Sequence, residues 1–236
     1  MSRSLMFEKD GERVLTVNAI TGCLHECRYC YARKLAKTRL RGKPGYDPDF
    51  KPMFYKPALN RMIGKDKTVF ISSMGDMFGY WVPIEWIKEV IRWCLSQNRS
   101  NTFYFLTKNP ARYVELVDEY PTWFRQDNFV YGCTIEGDSL VVQMESEAPD
   151  PCYRQRAMAR LEGVRKFLSI EPVMCFNKGT MVQWIEEIKP EFVYIGYDNH
   201  KNNLHEPSEE EVEELIIDLQ GITEVRLKNV RGVMKG

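Results

Sequence analysis

Short apolar, β-rich runs alternate with helical stretches along the whole chain. The runs are Val14–Asn18, Thr68–Ser72, Thr102–Thr107, Phe129–Thr134, Phe167–Ile170 and Phe192–Gly196, with a last short one at Glu224–Lys228. Between them, Pro83–Leu95 carries apolar residues at helical spacing behind a first-turn proline, and Pro110–Glu119 is similar. Met181–Ile188 follows Thr180 as a candidate N-cap, and Ser208 caps a stretch whose early acids suit the helix dipole. Near-continuous apolar strands separated by helices predict a parallel sheet covered by helices. Six or so such units in 236 residues fall short of the eight of a full barrel. The expected fold is therefore α/β, a partial (β/α)6 TIM barrel. No linker, internal repeat or low-complexity tract divides the chain, so residues 1–236 are expected to form a single domain. The Pro-rich, aromatic segment Pro44–Pro57 reads as an ordered loop or insertion.

Composition narrows the setting. Lys plus Arg and Asp plus Glu both total 33, so the formal net charge of zero gives no indication of a nucleic-acid or membrane partner. No apolar run approaches a membrane span, and Met1–Asp10 lacks the apolar core of a signal peptide. Seven cysteines, three of them clustered, do not make a secreted disulfide framework. A reducing, cytoplasmic location is expected.

The clustered cysteines lie just after the first strand, where βα barrels gather their active-site loops. Cys23-Leu-His-Glu-Cys27-Arg-Tyr-Cys30 has the spacing C-x3-C-x2-C. Three thiolates can hold three corners of a cubic iron–sulfur cluster, which normally takes four. The fourth iron then keeps an open position, as catalytic zinc does. Zinc is the competing reading, but it needs a fourth ligand. The nearest candidate, His25, lies awkwardly between two of the others.

Cys23-x3-Cys27-x-Tyr29-Cys30 after a first strand resembles the signature of the radical S-adenosylmethionine superfamily. The resemblance implies a [4Fe–4S] cluster held by Cys23, Cys27 and Cys30, with S-adenosylmethionine chelating the open iron. Reductive cleavage of S-adenosylmethionine would give a 5′-deoxyadenosyl radical that abstracts hydrogen from a substrate. The cofactor carries that chemistry while the protein binds and orients. A flavodoxin- or ferredoxin-like electron donor is the implied partner. Tyr29 falls at the aromatic position of the signature and is expected near the cofactor.

The later strand ends supply further candidates. Gly75 and Asp76, in Ser73-Met-Gly-Asp76, loosely match a turn that binds the amino group of S-adenosylmethionine in the superfamily. Thr134 and Glu136 alternate onto one face at the end of the fourth strand and are expected to contact the cofactor. Lys108 and Glu171, past the third and fifth strands, are candidates for cofactor or substrate contact. Ile-Ser-Ser-Met-Gly-Asp, Phe-Leu-Thr-Lys-Asn-Pro, Tyr-Gly-Cys-Thr-Ile-Glu and Phe-Leu-Ser-Ile-Glu-Pro resemble a narrower, phage-associated group of radical-S-adenosylmethionine-like proteins of unassigned function. Those relatives tend to carry a Gly-Gly-Glu-Ser-like turn after the sixth strand, where this chain reads Gly196-Tyr-Asp-Asn-His200. The resemblance therefore supplies no substrate.

Cys94 reads as core, and Cys133, Cys152 and Cys175 as unrelated thiols. His200 and His205 read as solvated. Arg28, Arg33, Lys34, Lys37, Arg39, Arg41 and Lys43 fall within sixteen residues that hold no acid. This reads as a basic helix face, able also to steer a polyanion or a reductant protein. Two other functions remain open at this point. One is a non-catalytic iron–sulfur or zinc protein that binds a partner or nucleic acid; spore photoproduct lyase shares the cysteine spacing. The other is an activase that installs a glycyl radical.

Overall fold

The structure, a computed structural model, describes residues 14–228. Met1–Asp10 and both ends of the expected 1–236 domain lie outside the described residues. In chain order the elements are β1 (Leu15–Val17), β2 (Ile20–Thr21), α1 (Tyr31–Lys37), β3 (Met53–Phe54), a 3-10 turn (Lys56–Leu59), β4 (Thr68–Ile71), α2 (Ile84–Ser96), β5 (Thr102–Thr107), α3 (Ala111–Glu119) and α4 (Pro121–Phe124). They continue with β6 (Phe129–Thr134), α5 (Leu140–Met144), α6 (Pro151–Arg160), β7 (Arg165–Ile170), α7 (Lys178–Ile188), β8 (Phe192–Ile195), α8 (Glu209–Gln220) and β9 (Glu224–Leu227).

Seven strands form one sheet in the order β1-β4-β5-β6-β7-β8-β9, every neighbour parallel. Spatial order follows chain order, so each helical connection returns the chain to the next place along the sheet. Among the described residues β1 and β9 are the edges, which leaves the barrel open, as its length predicts. The six expected strands are all present, with β9 as the seventh.

Strand residues alternate between two faces. Val69, Ile71, Phe103, Phe105, Tyr131 and Leu168 pack with the helices in the main core. Phe70, Tyr104, Val130, Phe167, Phe192 and Tyr194 form a second cluster on the other face. Thr134 shares the parity of Val130, so it faces the same side as this aromatic floor. Cys133 shares the parity of Tyr131 and is buried in the main core with Cys94. Neither thiol faces the floor.

Local chemistry sets the helix ends. Ser208 caps α8 in a capping box with Glu211. α7 differs from expectation: Asn177, not Thr180, is its N-cap, and Asn177 Oδ1 accepts the Thr180 amide at 3.0 Å. Asn is the stronger cap, and the helix starts three residues earlier. The basic run also differs. α1 ends at Lys37, and Arg39–Lys43 lies in turns. The Pro-rich segment is ordered by β3, which pairs antiparallel with β2.

That ribbon sets the start of the cysteine loop. Gly22 follows β2 with φ +79° and donates its amide to Met74 O at 2.9 Å, forming an isolated parallel bridge with Gly75. A Cβ on Gly75 would stand 2.6 Å from Gly22 O, and one on Gly22 would stand 2.1 Å from Lys51 O. Two backbones touch where any side chain would part them. Gly75→Ala should cost about 1–3 kcal/mol, as overpacking of a backbone contact does. The expected fall in Tm is about 2–4 °C per kcal/mol for a chain of this size, read by thermal unfolding.

Candidate active site

The cysteine loop crosses the C-terminal ends of β4, β5 and β6. All three cysteines are free; Cys27 is buried, and Cys23 and Cys30 are half-buried. The His25 amide donates to Cys23 Sγ and the Arg33 amide to Cys30 Sγ, both at 3.4 Å. Cys30 is the N-cap of α1. Burial pushes the Cys23 thiol well up, helped by Asp76 and by the neighbouring Cys27 and Cys30. Burial also raises Cys27, against the opposing charge of Lys108. Such thiols stay protonated unless a metal takes the place of the proton.

Among the described residues, no group of three or more His, Cys, Asp or Glu stands ready to hold a single metal ion. A cubic cluster makes a different demand, since each thiolate binds its own iron. The donor set fits that group. Three thiols lie on one short loop, two of them receiving N–H donors of the kind that tune cluster sulfurs.

Two buried carboxylates at strand ends hold the loop. Asp76 follows β4 and is 5% exposed. It accepts the Phe78 amide at 2.9 Å, the Lys108 amide at 2.9 Å and the Thr107 hydroxyl at 2.7–2.8 Å. His25 Nε2 lies 2.9 Å from Asp76 Oδ2, and the ring packs edge-on against Trp81. Burial raises the Asp76 carboxyl, but the His25, Lys108 and Thr107 partners outweigh it and the net shift is downward.

Glu136 follows β6 and is 0% exposed. One carboxylate oxygen accepts from Tyr29 Oη and from Lys108 Nζ; the other accepts Arg154 Nη1 at 2.8 Å. Arg154 Nη1 also reaches Thr134 O at 2.6 Å, and Lys108 Nζ lies 3.1 Å from Tyr29 Oη. Burial works against the Glu136 charge, yet Arg154 and Lys108 hold its carboxyl far below the usual range. The same carboxylate, together with burial, pushes the Tyr29 phenol well up.

The expected site residues thus divide. Tyr29, Asp76, Lys108, Thr134 and Glu136 meet around the loop, with Gly75 at its base. Glu171, past β7, stands in a separate pair with Lys228, whose Nζ is 2.7 Å from Oε2. Tyr31 donates to Ser73 O at 2.5 Å. Cys152 and Cys175 are half-buried and belong to no metal-ready group among the described residues. His200 and His205 are exposed. Sequence reasoning missed Arg154, although the signal was present. Pro151, Arg154, Gln155 and Met158 occupy one stripe of α6 and all are buried, so the arginine sits where the helix turns inward. Lys228 carried no such signal.

The family described as "Protein of unknown function (DUF5131)" matches residues 13–186. The chain belongs to that family. No curated protein matches the sequence. Among solved structures the chain is similar to spore photoproduct lyase complexed with dinucleoside spore photoproduct, with TM-score 0.63 and 12% identity over 92% of this chain and 77% of that one. A mutant of that enzyme with bound AdoMet and the dinucleoside matches with TM-score 0.52 and 14% identity over 89% of this chain and 62% of that one. Streptococcus suis SuiB matches with TM-score 0.53 and 9% identity over 92% of this chain and 49% of that one. At such identities the likeness establishes a shared fold. No helix among the described residues is long and apolar enough to cross a membrane.

Arg154→Met should destabilise the protein by about 3–5 kcal/mol, because it strips a partner from a buried charge. Denaturant unfolding checks this. The depressed Glu136 carboxyl also gives a pH signature. Its folded value lies below the ordinary 4.5, so its contribution is complete above that value and drains away as pH falls toward the folded one. Glu136→Gln should flatten the loss of stability between about pH 5 and pH 3 relative to the parent, even as it lowers stability at neutral pH.

Proposed function

We propose that this chain is a radical S-adenosylmethionine enzyme. Cys23, Cys27 and Cys30 would hold three corners of a [4Fe–4S] cluster, with S-adenosylmethionine at the fourth. Together these groups supply reductive cleavage of a sulfonium and a carbon radical that takes hydrogen from a substrate. The observation that carries the reading is a three-cysteine loop fixed across the C-terminal strand ends of an open parallel barrel, on a fold shared with spore photoproduct lyase, one mutant of which binds AdoMet. The likeness to phage-associated relatives rests on the motifs alone.

The chain's own residues bind and orient. Lys108 and Arg154 both meet Glu136, and their charges act on Cys27 against burial. The Lys108 ammonium is the more exposed of the two and suits the carboxylate of S-adenosylmethionine. Thr134 faces the same side, and Glu171 with Lys228 offers polar contacts toward the β7–β9 side for cofactor or substrate. The aromatic floor of Phe70, Tyr104 and Phe167 excludes water from below.

The basic segment serves the electron donor, a flavodoxin- or ferredoxin-like protein. Lys34, Lys37, Arg39, Arg41 and Lys43 are exposed and make no ion pair among the described residues. A compact acidic protein suits a local cationic patch on a chain of zero formal net charge better than a long polyanion does.

Anaerobic reconstitution followed by dithionite and S-adenosylmethionine should yield 5′-deoxyadenosine, measured by chromatography. An intact cluster that gives none sinks the proposal, and zinc in place of iron points to a binding protein. Cys27→Ala should abolish the product. Reversing Lys34, Lys37 and Arg39 to Glu should slow reduction by flavodoxin about tenfold or more at low salt and leave reduction by dithionite unchanged.

A further inference from the structure

The cysteine loop has two side chains between its cysteines that enter buried charge networks, His25 in the first interval and Tyr29 in the second. Each meets a different buried carboxylate. His25 Nε2 lies 2.9 Å from Asp76 Oδ2, and Tyr29 Oη donates to Glu136. The residue between the two grips, Glu26, is held at φ +50°, a conformation that non-glycine residues keep only when their surroundings impose it. The backbone is fastened as well. The Glu147 amide donates to His25 O at 2.6 Å and the Arg28 amide to Glu145 O at 2.9 Å, while Arg28 Nε and Glu145 form an ion pair at 2.5 Å. None of these contacts involves a thiol, so none competes with a metal for its ligands.

We propose that Asp76 and Glu136 are positioning residues that set the cysteine loop in its metal-receiving shape before any metal binds, with Arg154 as the buried cation that keeps Glu136 charged and aimed at Tyr29. The accounting of lone pairs supports this. Asp76 receives the Phe78 and Lys108 amides, the Thr107 hydroxyl and His25, and Glu136 receives Tyr29, Lys108 and Arg154. Asp76, with four donors on about four lone-pair sites, would have to abandon a protein partner to take a cofactor ammonium, and each loss leaves a buried donor unpaired; Glu136 holds three donors and is 0% exposed, which closes it to solvent. The role first expected of these two residues, direct contact with S-adenosylmethionine, therefore gives way to one exerted through the loop. The assignment does not depend on which metal group the cysteines bind. Its failure is thus separate from failure of the radical chemistry.

The test uses the full chain, first free of metal and then reconstituted. Tyr29→Phe removes one hydroxyl and keeps the ring. In the metal-free chain it should raise amide hydrogen exchange at residues 26–30 about tenfold or more, well beyond any change at β5–β7. Asp76→Asn should raise exchange at residues 23–26 likewise, and at the end of β5 where Thr107 and Lys108 lose the same acceptor. Arg154→Lys should keep the protection and Arg154→Met should lose it. On reconstitution, Tyr29→Phe should take up less iron per chain and give a broadened electron paramagnetic resonance signal on reduction. Loop exchange at the parental rate in both Tyr29→Phe and Asp76→Asn would overturn the proposal. So would a loss of protection spread evenly over the sheet. If Arg154→Met keeps the loop protected, the part assigned to Arg154 is wrong.

Discussion

The Asp76 carboxylate is the point on which the site depends. It sits past the end of β4, yet its hydrogen bonds reach three separate stretches of chain: its own turn through Phe78, the end of β5 through Thr107 and Lys108, and the cysteine loop through His25. At 5% exposure Asp76 is shielded from bulk solvent, so each bond is worth more than at the surface and each unmet donor costs more. A charge there is tolerable only because donors surround it. The result is a joint between the second and third parallel strands and the loop above them. Its stiffness comes from desolvation rather than from any single strong bond.

Glu136 repeats the device two strands further along the sheet, past β6, with different chemistry. Asp76 is satisfied chiefly by backbone and neutral donors, and Glu136 by two cations and a phenol. The first arrangement resists change in charge, and the second brings the more exposed of its two cations, Lys108, beside the loop. Cys27 lies in that field. The two carboxylates therefore share the task of holding the loop but differ in what they present to anything bound above it.

Much of this was legible in the chain. The strand runs, the open parallel sheet and the place of the cysteine loop follow from periodicity and length, because apolar strands buried on both faces leave a plain trace. The inward direction of Thr134 also followed, since alternation along a strand is geometric. What stayed hidden was partnership. Asp76 and His25 are fifty-one residues apart and Glu136 and Arg154 eighteen. Nothing in local propensity says that the acid after a strand will spend its lone pairs on the protein. Gly75 shows the same limit. Its freedom for close approach was readable, but the backbone it meets is that of Gly22, brought there by a two-residue ribbon too short to leave a pattern. Arg154 was the recoverable miss, being an arginine on the buried stripe of a helix.

The open barrel gives the site its remaining asymmetry. On the β4–β6 side the concave face is filled by the loop and its two carboxylate joints. On the β7–β9 side the polar pair Glu171 and Lys228 stands over Tyr194, with Arg226 lying across Phe192 at 3.5 Å from the ring centroid. Burial lowers the Lys228 ammonium, against the opposing charge of Glu171. The two sides thus differ in chemistry: the first is closed by hydrogen bonds within the protein, and the second carries an ion pair over aromatic rings. Among the described residues β9 has no further neighbour, so that side ends in an edge, with the turn Gly196–His200 following β8. Changes in the loops after β7 and β8 leave the hydrogen bonds of the Asp76 and Glu136 carboxylates untouched, since neither draws a partner from them.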